Sequence, residues 1–459
     1  MFRNPMEFNA WLDDRRKVNE YHVVTTSLDR LDNWLVEPHT GNLRHRTGRF
    51  FSIEGLRVST DNRETTAWDQ PIIVQPETGV LGVLVKDFDG APHCLLQAKM
   101  EPGNINLLQL SPTVQATHSN HTRVHQGAAV PYLEQFLMAQ PEQVIFDSLQ
   151  SEQGSWFLRK RNRNMIVRVD NEVPTHPDFC WLSLPQIAEL LQQDNLVNMD
   201  TRTVLSGMSN LAKDAIPSVR QRYGVLGSEG PDVGALHTTE RILGWLTAAK
   251  TEHRLDRELI PLEDVRHWDR DEHRISHEGR RYFTVMGVDV RASNREVAQW
   301  SQPMVAPIGR GVAAFLGREI DGVFHVLAHA LTEAGTFDVL EIAPTVQCIP
   351  NSYLGLPDPS RPKFLDYALN SRPEQRLLDV VHSEEGGRFY HAETRYLIVD
   401  TGDDLPLVEP PGFLWVTLAQ LGNLVRFSHY LNVTTRSLLT CVNSWWWNEA
   451  PASSELART

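Results

Sequence analysis

Cysteine is scarce: four residues in 459, at Cys94, Cys180, Cys348 and Cys441, none in a Cys-x-x-Cys or Cys/His spacing. This excludes a disulfide scaffold or a zinc ribbon and reads as four small buried side chains in a reducing compartment. Long apolar runs are missing too. Nothing approaches the roughly 18–20 residues that cross a bilayer, and Met1-Phe2-Arg3-Asn4-Pro5-Met6-Glu7 has no apolar signal core. A soluble cytoplasmic protein with no membrane partner is expected. Positive charge falls short, with 44 Lys and Arg against 58 Asp and Glu and a net charge of −14. The longest basic run is Arg159-Lys160-Arg161-Asn162-Arg163, which speaks against nucleic acid but leaves room for one small phosphorylated ligand. No Gly-x-Gly-x-x-Gly follows a strand, and Walker A and Gly-x-Ser-x-Gly motifs are absent, which argues against hydride transfer and ATP hydrolysis.

What is present is a repeat. Gly79 through Gln115 returns as Gly311 through Gln347, an offset of 232 residues that also relates Trp68 to Trp300 and Gly154 to Gly386. The offset slips to 234 at Trp181/Trp415 and Arg202/Arg436. So long a period excludes a solenoid and means a duplicated domain. Strand and helix signals mix within each copy, giving an α+β (mixed α/β) expectation. Asp89-Gly90 reads as a hairpin turn between Gly82–Phe88 and Cys94–Ala98, repeated at Asp321-Gly322. Leu107–Leu110 reads as a strand, Tyr132–Met138 as a short helix, and Gly154–Leu158 and Met165–Val169 as strands joined at Arg161–Asn164. Ser183-Leu184-Pro185 opens a helix through Gln193. Gly224, Gly227, Gly230 and Pro231 place the boundary, giving domains 1–220 and 235–459.

Candidate chemistry concentrates in Gln150, Ser151, Glu152, Gln153, Gly154 and Ser155 and the copy Ser383, Glu384, Glu385, Gly386 and Gly387. A hydroxyl, a carboxylate and free backbone N–H groups suit a sugar and a diphosphate; the plainer reading is a glycine turn. Arg159, Arg161 and Arg163 would share one strand face and present forks to phosphate, while in the second copy only Arg395 matches Arg163. His118, His121 and His125 have helical spacing but no acid until Glu134 and no repeat counterpart, which favours acid–base or plain surface roles over a metal. Trp68 and Trp300 read either as core or as platforms for a flat base.

Ser111-Pro112-Thr113-Val114-Gln115-Ala116-Thr117, Thr122-Arg123-Val124-His125, Leu149 through Ser155 and Arg159 through Asn164 resemble the NDP-hexose 2,3-dehydratases of deoxysugar biosynthesis. Ala343 through Cys348 and Ser383 through His391 carry the resemblance into the second copy. It implies two tandem Nudix-like domains, each with a pocket for a dTDP-sugar, and a homodimer. The expected assignment is a catalytic first pocket and a vestigial second one. The Nudix metal box is reduced to one acid per copy, Glu134 and Asp366, so neither metal nor cofactor is expected. The implied substrate is a dTDP-4-keto-6-deoxyhexose, losing water across C2 and C3, with a 3-ketoreductase acting next. Glu152, His125, Lys160, Glu134 and Tyr132 are the candidates for base, acid and enolate donor; Trp68, Trp300, Arg159 and Arg163 for binding. A degenerate Nudix hydrolase of NDP-sugars and a noncatalytic nucleotide-sugar binder are the competing readings.

Overall fold

The computed structural model describes residues 2–117, 130–208, 230–293, 297–356 and 360–447. Each repeat builds a seven-stranded sheet. In the first, Val144–Ser151, Arg161–Arg168, Gly79–Phe88, Ala91–Met100 and Phe179–Ser183 lie side by side, with Leu108–Ser111 and Val114–Ala116 added to the central pair. The second repeats this order with Arg376–Ser383, Glu393–Asp400, Gly311–Ile320, Val323–Leu331 and Phe413–Thr417. The mixed α+β class and the duplication are therefore both realised. Asp89 and Gly90 take φ of 51° and 79°, and Asp321 and Gly322 take 50° and 82°. Two successive left-handed residues match the right-handed twist of the flanking strands, so the Asp-Gly hairpins form where expected. Ser183 caps the helix Leu184–Leu190 by accepting from the Gln186 N–H, while the Gln186 side chain returns to the Ser183 N–H. That helix stops short of Gln193.

Two expectations are corrected. Gly154–Leu158 is a turn whose only ladder contact is a bridge from Phe157 to Ile73. Arg161–Asn164, read as a turn, begins the strand Arg161–Arg168. The antiparallel partner of that strand lies upstream, at Val144–Ser151, and its parallel partner is Gly79–Phe88. The boundary region is described only in part: Thr239–Glu252 is helical, and residues 209–229 lie outside the described residues.

Each repeat also carries a five-stranded antiparallel sheet, and here the copies trade a strand. Tyr21–Thr26 of the first repeat pairs along its length with Phe283–Ala292 of the second, while Leu255–Ile260 pairs with Ser52–Thr60 of the first. The largest apolar core likewise draws on both copies, joining Leu96, Phe146 and Val204 to Phe315, Ile398 and Val442. At its centre every residue of the helix Met199–Leu205 is buried. Its counterpart Val433–Trp447 packs against it. Asn198 and Asn432 start the two helices by accepting from Thr201 and Thr435 N–H groups.

The glycines of the two Ser-Glu loops belong to this junction. Gly335 N–H donates to the Gly154 carbonyl (2.6 Å) while its own carbonyl accepts from Arg159 N–H (2.7 Å). Gly103, Gly386 and His391 form the mirror image. A Cβ on Gly335 would fall on the Phe157 carbonyl, and one on Gly103 on that of Phe389. Backbone cannot retreat there without breaking both hydrogen bonds. Gly335→Ala is therefore expected to cost on the order of 3 kcal/mol or more in urea unfolding; a midpoint matching the parent protein would contradict the close junction.

Candidate active site

The cavity of the first repeat, about 520 Å³, lies between its seven-stranded sheet and the five-stranded sheets, and the second repeat supplies part of its wall. That volume suits a small-molecule ligand. One end is aromatic: Trp34, Phe50, Phe51 and Trp300. Trp34 donates to the Ser301 carbonyl (2.8 Å) and packs on Phe51 at 4.9 Å, while Trp300 donates to the Gln302 side chain (2.9 Å). Over the Phe51 ring, at 4.2 Å, sits the Arg388 guanidinium, from the second repeat.

The other end is charged, with carboxyls from Glu101, Glu152, Asp200 and Glu385 and ammonium groups from Lys99 and Lys160. Strand geometry explains how they meet. The ladder Val144–Ser151/Arg161–Arg168 ends at Ser151 opposite Arg161, and one further bond, Glu152 N–H to the Lys160 carbonyl (3.0 Å), brings the next pair face to face. Lys99 is the penultimate residue of the strand Ala91–Met100 and Glu101, two positions on, follows its end; Lys99 Nζ lies 3.8 Å from Glu101 Oε1. Gln115 links them, accepting from Lys99 Nζ at 2.6 Å and donating to Glu101 Oε1 at 2.9 Å.

Burial sets the electrostatics. Glu152 is only 5 % exposed. Desolvation pushes its carboxyl up, and Arg436, Lys160 and the Asn162 amide (2.7 Å) draw it back toward the ionised form. Lys160, whose ammonium also donates to the Glu77 carbonyl, is lowered to about 8, chiefly by burial and against the pull of Glu152. Burial and the nearby Glu152, Glu385 and Glu101 carboxylates raise Asp200 well above its ordinary range. Burial, then Glu101, lift Glu385 to about 7. The pocket thus holds carboxyls of differing acidity beside two ammonium groups, the equipment of general acid–base chemistry.

Of the residues singled out from sequence, Glu152, Lys160, Trp300, Glu385 and Gly387 line this cavity. The remainder are placed elsewhere. Gln150 donates to the Val425 carbonyl, Ser151 to Glu341, Gln153 to Glu384 and Ser155 to Glu333, all across the junction between repeats. Ser383 binds Asn195 and Gln109, and Glu384 accepts from Tyr396 as well as Gln153. Gly154 and Gly386 close that junction as described above. Arg163 and Arg395 are spent on Asp147 and Asp379 in partly exposed bidentate pairs. Arg159 has φ of 48° and Arg161 stacks on Phe337, so the three arginines do not converge on a phosphate site. Trp68 and Trp300 are both partly buried; Trp68 packs at the edge of Leu56, Val58 and Ile72 and does not line this cavity, whereas Trp300 does. The Tyr132 hydroxyl is tied to Pro174 and His176, and Glu134 is exposed on the helix Leu133–Leu137. His118, His121 and His125 lie outside the described residues. Among the described residues no three His, Cys, Asp or Glu side chains are arranged to hold a metal ion.

Lys99, Glu101 and Asp200 were missed because none sits in a motif, and Arg388 because, though it stands within Ser383–His391, the first copy has no arginine at the matching position. A signal existed: subtracting one copy from the other pairs Lys99 with Leu331, Lys160 with Ala392 and Asp200 with Thr434. At the mirror location Arg63 donates to the Thr332 carbonyl and lies 5.9 Å over the Trp68 ring.

A duplicated α+β enzyme with one acid–base pocket of this composition is the class that fold and site define. The chain belongs to the NDP-hexose 2,3-dehydratase family, whose model matches residues 5–208 and again 239–442. It is 54% identical over 441 residues to the dTDP-4-dehydro-6-deoxy-alpha-D-glucopyranose 2,3-dehydratase of Streptomyces violaceoruber, covering 95% of this chain and 96% of that one. Proteins of the same description from Saccharopolyspora spinosa and Amycolatopsis orientalis are 48% and 47% identical, over 96% and 95% of this chain and 91% and 90% of theirs.

Placement of the arginines yields a test. Arg388→Ala should raise KM at least about tenfold, the range of a lost charge-assisted contact. Arg163→Ala and Arg395→Ala should leave KM unchanged, since both side chains serve surface pairs worth little. Steady-state kinetics on the three variants decides the point.

Proposed function

We propose that this chain is a dTDP-4-keto-6-deoxyglucose 2,3-dehydratase of the cytoplasm, with its chemistry in the pocket of the first repeat. The observation that carries the assignment is the buried opposition of Glu152 and Lys160 across the end of one strand ladder. The C4 ketone acidifies the C3 proton, and of the two ring positions beside that ketone only C3 adjoins the C2 hydroxyl that leaves. Glu152 takes that proton, and Lys160, charged near neutrality, donates to the oxygen on which the enolate develops. The enolate then expels the C2 hydroxyl. The aromatic end suits the thymine base, Trp300 offering its face, and Arg388 the diphosphate. The immediate product is a labile 3,4-diketo-2,6-dideoxy sugar nucleotide, so a 3-ketoreductase is the expected next partner; a homodimer belongs to the same reading.

The test supplies the 4-keto sugar nucleotide, deuterated at C3, together with a trapping reductase. The label is expected to pass to water, and Glu152→Gln should lower turnover by about 10²–10⁴ with dTDP affinity nearly unchanged. Retained deuterium in the reduced product would rule out C3 deprotonation. Full activity in both Glu152→Gln and His125→Ala would rule out this choice of base. Prolonged EDTA treatment is expected to leave the rate unaltered, because Glu134, the lone remnant of the metal box, points into solvent away from the cavity. Nucleoside monophosphate released in Mg²⁺ would favour a hydrolase, and saturable dTDP binding without turnover a binding protein.

A further inference from the structure

We infer that Glu385, which the second repeat contributes to the first repeat's pocket, is the general acid that protonates the departing C2 hydroxyl. This rests on the dehydratase reading above. Glu385 lines the same cavity as Glu152 and Lys160. One of its oxygens accepts from the Gly387 N–H at 2.8 Å; the other, Oε2, is buried with no hydrogen-bond partner among the described residues. Glu101 and Glu152 each carry such an oxygen as well, and carboxyls crowded and buried in this way are best accommodated when one of them is O–H.

The repeat supplies an internal control. Position 385 corresponds to Gln153, and Glu152 to Glu384. In the mirror arrangement Gln153 Nε2 donates to Glu384 Oε2 at 2.8 Å. The fold therefore aims this side chain at the carboxylate that in the first pocket is the base. The mirror location received an amide, whose hydrogens cannot be given to a leaving group, and the pocket that keeps both lysines received a carboxyl. Burial and the neighbouring Glu101 and Glu152 hold that carboxyl at about 7, against the pull of Arg388 and the Gly387 N–H, so a protonated fraction persists at neutral pH. Asp200 is also a buried acid, but its mirror is Thr434, so the repeat offers no counterpart carboxyl or amide contact that aims position 200 at the base.

The step balances. Glu152 gains the C3 proton and the C3–H electron pair forms the C3=C4 enolate. That enolate re-forms the C4 carbonyl as C2=C3 forms and the C2–O bond breaks, and the Glu385 proton completes the water that leaves. The resulting enol tautomerises to the 3,4-diketone. One carboxyl has gained a proton and the other lost one, so exchange with solvent resets the pair.

Glu385→Gln, which copies Gln153, separates the two half-reactions. Water loss should fall about 10²-fold or more, while exchange of the C3 hydrogen with D₂O, followed by mass spectrometry on recovered substrate, should stay within a few-fold of the parent. Glu152→Gln should lose both, and Glu385→Asp should recover part of the dehydration. Parental dehydration in Glu385→Gln overturns the assignment; so does loss of exchange together with dehydration while dTDP affinity and thermal midpoint are kept, since residue 385 would then belong to the base. A parent enzyme that neither exchanges nor dehydrates overturns the dehydratase reading, and this inference falls with it.

Discussion

Arg202 and Arg436 are fully buried where the two repeats meet, and the architecture is arranged around satisfying them. Taking a guanidinium from water costs several kcal/mol unless its hydrogens find acceptors. Each arginine bonds one carbonyl of its own repeat, Val197 or Leu431, and one carbonyl of the other, Ser383 or Ser151. Neither repeat alone could bury its arginine with these bonds intact. Burial lowers Arg436 to about 10, and the carboxylates of Glu152 and Glu341 resist that shift. The same guanidinium that holds the Ser151 carbonyl thus also stabilises the ionised form of the proposed base one residue away. Stability of the junction and electrostatics of the site share one group.

From that junction follows the trade of strands. Once the helices Met199–Leu205 and Val433–Trp447 are locked together, each repeat's leading strand lies near the other's five-stranded sheet, and the exchange of Tyr21–Thr26 for Leu255–Ile260 fuses the copies into one interlocked body. Duplication usually gives two independent sites. Here the loop that follows each strand ending in Ser151 or Ser383 is delivered to the neighbouring repeat, so a substitution in one copy alters the pocket of the other. Divergence could then concentrate charge in one pocket, with Lys99, Lys160 and Asp200 beside Glu385 and Arg388, while the mirror location drifted to Leu331, Ala392 and Thr434 and was crossed by Arg63.

Much of this was legible in the sequence, and the misses share a cause. Class, duplication, Asp-Gly hairpins and capped helices were visible because each depends on residues close along the chain: a turn needs left-handed φ at two adjacent positions, and a cap needs an oxygen three residues before its N–H. Glu152 and Lys160 were found because they stand beside repeated motifs. Ser151, Gly154, Ser383 and Gly386 were also found, but for a reason other than the one supposed. Their repetition marks contacts between copies, and a loop that binds its twin leaves the same trace in sequence as one that binds a ligand.

By itself, then, the sequence determined that two α+β units of one ancestry would form, where most of their turns and caps fall, and that an acidic chain with few cysteines and no nucleotide-binding glycine loop would perform acid–base chemistry of the family it resembles. Only the tertiary structure decided that the units share strands, that Trp300 walls the cavity while its twin Trp68 lies beneath Arg63, and that Glu385 belongs to the first pocket. Those outcomes rest largely on pairings between the two repeats, distant along the chain, whose energies come from burial and desolvation. Neither exists until the chain has closed on itself.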